Sequence, residues 1–348
     1  MNISAFFIGI STAFFTIFAL HILCYRRHRT RFQTVLGCIM AVWAVWNLKD
    51  LIITFPGMYR QDVLNWILLV DGWSALTYTV FVAETVRPGW TTVGRLFLLS
   101  LPFAAFTVAY AVWPVEWVIM GYVAFLWFFA WAVVITGFIL TRKHIRYVRA
   151  NYSNIDQIDV SWLSPVFFFA IVSQLAWLVT SLYATPTGDI VYYVSTILLW
   201  LIVLRYSWNF RPIRVLEDSA SVETCDEPAA PHKPILPFAE GRLEQLMDEQ
   251  QLYLNRNLTL QDLAQALSTN RTYVSNYFSQ VRGQTFYDYV NQLRIERVSL
   301  PMMREHPEYK LEHVARESGF ASISTFRRAF VKFTGQTPSQ YDINQADT

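Results

Sequence analysis

Seven stretches of about 20 mostly apolar residues, each long enough for a helix to cross a bilayer, fill the chain from Ile3 to Trp208. They run Ile3–Tyr25, Val35–Phe55, Val63–Val86, Val93–Trp113, Glu116–Leu140, Trp162–Tyr183 and Ile190–Trp208. The third is the weakest, because it contains Asp71, Gly72 and Glu84. Glu84 stands at its inner edge close to Arg87, where it reads as a solvated end residue. The opening run lacks the charged start and small-residue cleavage site of a signal peptide, so it is expected to stay as a spanning helix.

Charge placement tests the count. With seven spans and the N-terminus outside, thirteen basic residues fall on the cytoplasmic side and only Arg60 falls outside, as the positive-inside rule expects. The thirteen include "RRHRTR", "TRKHIRYVR", Arg87, Arg95, Arg205, Arg211 and Arg214. Without the third span, one of the two quoted basic stretches would have to lie outside. The external connections "PGMYRQD", "PVE" and "ATPTGD" leave no room for a folded receptor domain. Trp66, Trp113, Trp117 and Tyr183 fall near the outer edge, where aromatic rings anchor helices at the interface.

A hydrophobic content of 54% fits this reading, and the content is uneven. Residues 1–214 hold 15 Lys+Arg against 8 Asp+Glu, residues 215–235 hold 1 against 5, and residues 236–348 hold 12 against 13. A basic, apolar domain (1–211) is thus expected to meet a nearly neutral one (237–348) through a flexible, acidic, proline-containing linker at 212–236. A tether of that length has an r.m.s. reach of about 25–30 Å. The 3 cysteines and 6 histidines show no ligand spacing, so neither a metal nor a cofactor is expected.

Polar residues inside the apolar runs mark a candidate ligand pocket. Counted back from the external ends, Lys49 lies roughly 9 Å deep and Asp71 roughly 12 Å deep, so adjacent antiparallel spans can pair them. An ionised side chain at mid-bilayer costs about 2.5–3.5 kcal/mol on insertion scales, which demands a partner or water. Asp50, Trp43, Trp46, Asn47, Trp73 and Tyr78 are close in sequence. Two readings stay open: Lys49, Asp50 and Asp71 hold a small ligand, or Lys49 snorkels to the interface while the aspartates brace the bundle. No lysine in the seventh span is available for a retinal Schiff base.

The C-terminal region carries a duplicated pattern. In "LTLQDLAQALSTNRTYVSNYF", Leu263 and Leu267 point inward, Ala264 permits close helix approach, and Val274 and Phe278 anchor a second helix at i, i+4. Fifty-one residues later "LEHVARESGFASISTFRRAF" repeats it, with Val314, Ala315, Phe326 and Phe330 at matching positions and Gly319 in the turn. These are two helix-turn-helix units, about 258–281 and 310–333, joined by the helix-like "FYDYVNQLRIERV". The whole chain is therefore expected to be all-α: a seven-helix transmembrane bundle followed by a cytoplasmic double helix-turn-helix domain.

With "GQTFYDYVNQLRIERV", "VARESGF" and "STFRRAFVKFTGQTPSQY", residues 238–342 resemble the AraC/XylS family of transcription regulators. More loosely, the apolar half resembles the multi-pass membrane-anchored members of that family. The resemblance implies two recognition helices in successive major grooves of promoter DNA, about 34 Å apart. On matching positions, Thr272, Ser275 and Asn276 would face bases from the first unit, and Ile323, Ser324, Thr325 and Arg327 from the second. Arg271, Arg328 and Lys332 would meet phosphates. Ser268 stands where many members have glycine, and Pro301 interrupts the connecting helix, which holds one residue more.

These features suggest a membrane-tethered, sequence-specific DNA-binding regulator in a bacterial inner membrane. Its partners would be double-stranded promoter DNA, the lipid bilayer, and a small or lipophilic ligand or membrane protein that supplies the signal. A transporter or sensor membrane protein with an appended DNA-binding domain is the alternative, and release by cleavage of the tether is a third reading. No nucleophile–base pair, phosphate loop or paired catalytic carboxylate is seen, so an enzyme is the least expected class. Oligomeric state is left open.

Overall fold

The computed structural model describes residues 3–25, 29–58, 60–183, 186–208, 210–213 and 240–341. Residues 214–236 of the expected linker lie outside the described residues. Among the described residues all regular structure is helical, apart from one isolated β-bridge between Tyr152 and Thr259. The chain divides into two compact units. Unexpectedly, Ile145–Asp159, from the connection between two apolar helices, belongs to the unit that holds the C-terminal domain.

In the first unit, α1 (Ile3–Leu20) leads through a π turn, and α2 (Arg31–Lys49) runs on as a 3₁₀ turn at Asp50–Thr54. Next come α3 (Gln61–Gly72), α4 (Ala75–Val86), α5 (Val93–Val112), α6 (Glu116–Asn151, whose last turns from Ile145 on belong to the second unit), α7 (Leu163–Tyr183) and α8 (Pro186–Ser207). Thr30 starts α2 with a capping box to Gln33, satisfying backbone donors that the first helical turn leaves over. The expected third span is two helices, broken at Trp73–Ser74. There a Cβ on Gly72 would collide with the Tyr122 hydroxyl, which donates to Leu69 O at 2.9 Å.

Among the described residues, six stretches are long and apolar enough to cross a membrane: Ala5–Tyr25, Arg31–Thr54, Gln61–Val86, Val93–Val112, Glu116–Asn151 and Ile190–Ser207. In the remaining candidate, α7, only the shorter apolar piece Leu163–Leu175 enters that comparison.

Apolar side chains on both sides of a lipid-facing helix give little reason to associate, so packing and polar contacts must do it. Trp200 supplies the packing. Phe15, Trp43, Tyr78 and Phe81 surround it with ring centroids 5.7–6.4 Å away. Polar ties join them: Trp43 Nε1 donates to Thr77 Oγ1 at 3.0 Å, and Asn47 Nδ2 to Ser11 Oγ at 3.1 Å. The outward faces of α5 and α6 remain apolar, with Phe97, Leu98, Trp117 and Phe128 exposed.

The solvated role expected for Glu84 is wrong. Its side chain is fully buried and accepts from Gly89 N and Thr91 N at 3.0 Å each, with Arg31 Nη2 at 3.3 Å. It shapes the turn after α4. Two of its partners are backbone amides, which the sequence does not mark.

The second unit contains α9 (Glu240–Gln250), α10 (Leu260–Ala266), α11 (Arg271–Asn276), α12 (Phe286–Arg294), α13 (Leu300–Glu305), α14 (Leu311–Glu317) and α15 (Ile323–Thr334). The repeat seen in sequence is also a repeat of backbone geometry. Ser268 and Gly319 both take left-handed φ, +53° and +83°. After each, a long-reach amide bond closes the helix end: Thr269 N to Ala264 O and Phe320 N to Ala315 O, both 2.9 Å. Each unit has its own core, around Leu263, Val274 and Phe278 in one and Val314, Phe326 and Phe330 in the other.

Between α12 and α13 lies a π turn, Ile295–Ser299. A π turn holds one residue more than an α turn, so it would accommodate a connection one residue longer. Pro301 falls in the first turn of α13, where a missing N–H costs least.

Arg294 is the joint of this unit. Only 1% exposed, it donates to Tyr253 O (2.7 Å), Asn255 O (2.9 Å), Asn291 Oδ1 (3.1 Å), Ser153 O (3.3 Å) and Ser153 Oγ (3.4 Å). Its guanidinium also lies 5.5 Å from the centre of the Phe320 ring. Burial lowers its pKa to about 10, so it stays charged at neutral pH. Removing five acceptors from water is tolerable only because one planar fork meets them all.

Candidate nucleic-acid interface

Each recognition helix begins with a side-chain cap. Asn270 Oδ1 accepts from Tyr273 N at 3.0 Å to start α11, and Ser322 Oγ accepts from Thr325 N at 3.2 Å to start α15. These caps fix the first turns, which in a helix-turn-helix unit carry the residues that approach base edges.

On α11, Val274 turns inward while Thr272 and Asn276 are exposed and Ser275 is half-buried. Arg271 is also half-buried, its guanidinium 5.4 Å from the centre of the Tyr147 ring. Tyr273, which the sequence reading passed over, is 46% exposed. Its signal was available: it precedes the inward Val274 and cannot share that face.

On α15, Ser324, Arg327 and Arg328 are exposed, Ile323 is half-buried, and Thr325 is only 2% exposed. The Thr325 hydroxyl donates to the Asp156 carboxylate. The same carboxylate oxygen stands 3.8 Å from Arg328 Nη2, which in turn donates to Thr325 Oγ1 at 3.3 Å. Lys332 Nζ is 2.6 Å from Asp288 Oδ1. Arg327 has no ion pair among the described residues. Ser275, Asp288 and Lys332 line one cleft of about 500 Å³.

Asp156 was not anticipated. It sits in the stretch Tyr152–Asp159, which packs through Ile155 (2% exposed) and through Ser153, whose N–H and hydroxyl both donate to Leu258 O at 3.1 and 2.7 Å. An acidic side chain therefore lies against the polar face of a recognition helix.

The other predicted polar cluster lies in the first unit. Lys49 Nζ is 2.6 Å from Asp71 Oδ1 and also bonds Asp50. The Tyr193 hydroxyl donates to the second Asp50 oxygen at 2.8 Å. Lys49 and Asp71 are about one-fifth exposed and Asp50 is buried. Among the described residues, no group of three or more His, Cys, Asp or Glu could hold a metal ion.

Residues 263–343 match the family model described as a helix-turn-helix domain, the AraC type. Over 102 residues the chain is 28% identical to an uncharacterized HTH-type transcriptional regulator of Staphylococcus aureus (strain COL), covering 29% of this chain and 13% of that protein. A counterpart in strain MSSA476 matches to the same extent. The uncharacterized HTH-type transcriptional regulator YdeC of Bacillus subtilis (strain 168) is 30% identical over 100 residues, 29% of this chain and 34% of that protein. The likeness thus spans about a third or less of these relatives' length. No solved structure matches the chain. The C-terminal region thus carries an AraC-type helix-turn-helix domain, similar to those of proteins named as transcriptional regulators.

Proposed function

We propose that the chain is a membrane-tethered, sequence-specific transcription regulator that couples a membrane or small-molecule signal to gene expression. Seven spans would set it in a bacterial inner membrane, with the N-terminus outside and the DNA-binding domain in the cytoplasm. One observation carries this reading: among the described residues, six stretches apolar enough to cross a membrane share one chain with an AraC-type domain whose reading helices expose polar side chains. The charge asymmetry of the connections supports the orientation.

Thr272 and Asn276 on α11, and Ser324 and Arg327 on α15, would face base edges, with Ser275 and Ile323 flanking them. Arginine and asparagine suit guanine and adenine, each through paired hydrogen bonds. Arg271, Arg328 and Lys332 would serve phosphates after exchanging their present partners. Thr325 would join them only if the Asp156 contact opens.

Reporter fusions placed after each predicted span test the topology. Footprinting of a captured promoter by the intact protein in lipid nanodiscs tests the tethered reader. A C-terminus found outside the inner membrane overturns the proposal.

A further inference from the structure

A cavity of about 130 Å³ lies in the first unit against α3, α4, α6, α7 and α8. That is close to the roughly 150 Å³ of an apolar cavity able to take benzene, and smaller than most small-molecule pockets. Tyr78, Phe81, Trp127, Trp131, Tyr192 and Trp200 contribute rings to its wall. Asp71 is the only lining residue with a side chain charged at neutral pH.

Lys49 and Asp50 do not line the cavity, although Lys49 bonds both aspartates. The three groups carry a formal charge of −1, and the member presented to the cavity is a carboxylate. The ammonium is behind it, committed to two acids. An anionic ligand would therefore meet charge of its own sign. A cation would meet the carboxylate and the negative faces of the rings, whose attraction strengthens away from water.

We infer that this cavity binds a small organic monocation, an alkyl- or arylammonium. As the regulator's input, the inference rests on the function proposed above; as a binding site, it stands without it.

The test uses the full chain in nanodiscs of neutral lipid, titrated with radiolabelled benzyltrimethylammonium, neopentylbenzene (its uncharged carbon isostere) and 3-phenylpropionate. Saturable binding of the ammonium, at least tenfold tighter than either competitor, is expected. Asp71→Asn and, separately, Trp127→Leu should each weaken it at least fivefold; the second keeps the test valid if the first destabilises the bundle. Equal binding of the uncharged isostere, preference for the carboxylate, or no saturable binding overturns the inference. Promoter footprinting with and without the ammonium separates the two claims. Binding without a change in occupancy removes the input role alone, while a footprint without ammonium binding removes the site alone.

Discussion

Asp156 accepts a hydrogen bond from Thr325, 169 residues further along the chain, on the first turn of α15. That turn is the part of a recognition helix that must reach DNA. If α15 docks as proposed above, the contact holds a carboxylate where a phosphate or base edge would go, and its neighbour Arg328 at 3.8 Å is a phosphate candidate. On the proposed DNA-binding role of α15, the stretch Tyr152–Asp159 and DNA would therefore compete for the same groups.

Removing the carboxylate should favour DNA. Asp156→Asn is expected to tighten operator binding by about fivefold, the equivalent of ~1 kcal/mol for a partly exposed ion pair. Freed Arg328 should also steepen the salt dependence by about one phosphate contact. Titrations of the intact protein at several salt concentrations check both; unchanged affinity and slope mean that the contact is neutral.

Base readout should be concentrated in a few exposed side chains. Arg327→Ala and Asn276→Ala are each expected to weaken specific binding by about 1–3 kcal/mol and to relax preference at one base position. Lys332→Ala should weaken all sequences alike. Competition between operator and scrambled duplexes distinguishes these outcomes.

The paired turns make opposite predictions for one substitution pattern. Ser268 holds left-handed φ at a cost that glycine lacks, so Ser268→Gly should stabilise the intact protein by about 1 kcal/mol. At Gly319 a Cβ would lie 2.8 Å from Leu254 O, and φ is +83°. Gly319→Ala should therefore destabilise by about 2 kcal/mol or more. Hydrogen exchange of the amides in α10 and α14 reads both effects.

Arg294 should resist every replacement. Arg294→Met leaves Ser153, Tyr253 and Asn255 without their donor, and a loss of about 3–5 kcal/mol is expected. Arg294→Lys keeps the charge yet cannot supply the planar fork, so it should rescue only part. Because the folded-state pKa is lowered to about 10, folding releases protons only between there and the ordinary arginine range. Stability gains from this group would appear as pH rises through that window, and none is expected between pH 6 and 9.

Much of this was legible in sequence because it is local. Apolar length marked the helices, and inward residues at i, i+4, such as Val274 with Phe278, marked both reading heads. The Ser268–Gly319 equivalence was in the spacing, but left-handed backbone shows only in structure. What escaped was long-range. No periodicity ties Asp156 to Thr325 or Ser153 to Arg294, and nothing in "YSNID" marks it as part of a unit that begins again 80 residues later. Thr325 shows the consequence: its position matches a base-facing residue, and its hydroxyl is buried on a carboxylate. Glu84 escaped for a related reason, since two of its partners are backbone amides.

Genome-wide DNA capture with the intact chain, cross-linked in cells and compared with Arg327→Ala, tests the account most directly. Discrete promoter peaks that fade in the variant, recovered from the membrane fraction, are predicted. Capture only from a soluble fragment, or a profile indifferent to Arg327, contradicts it.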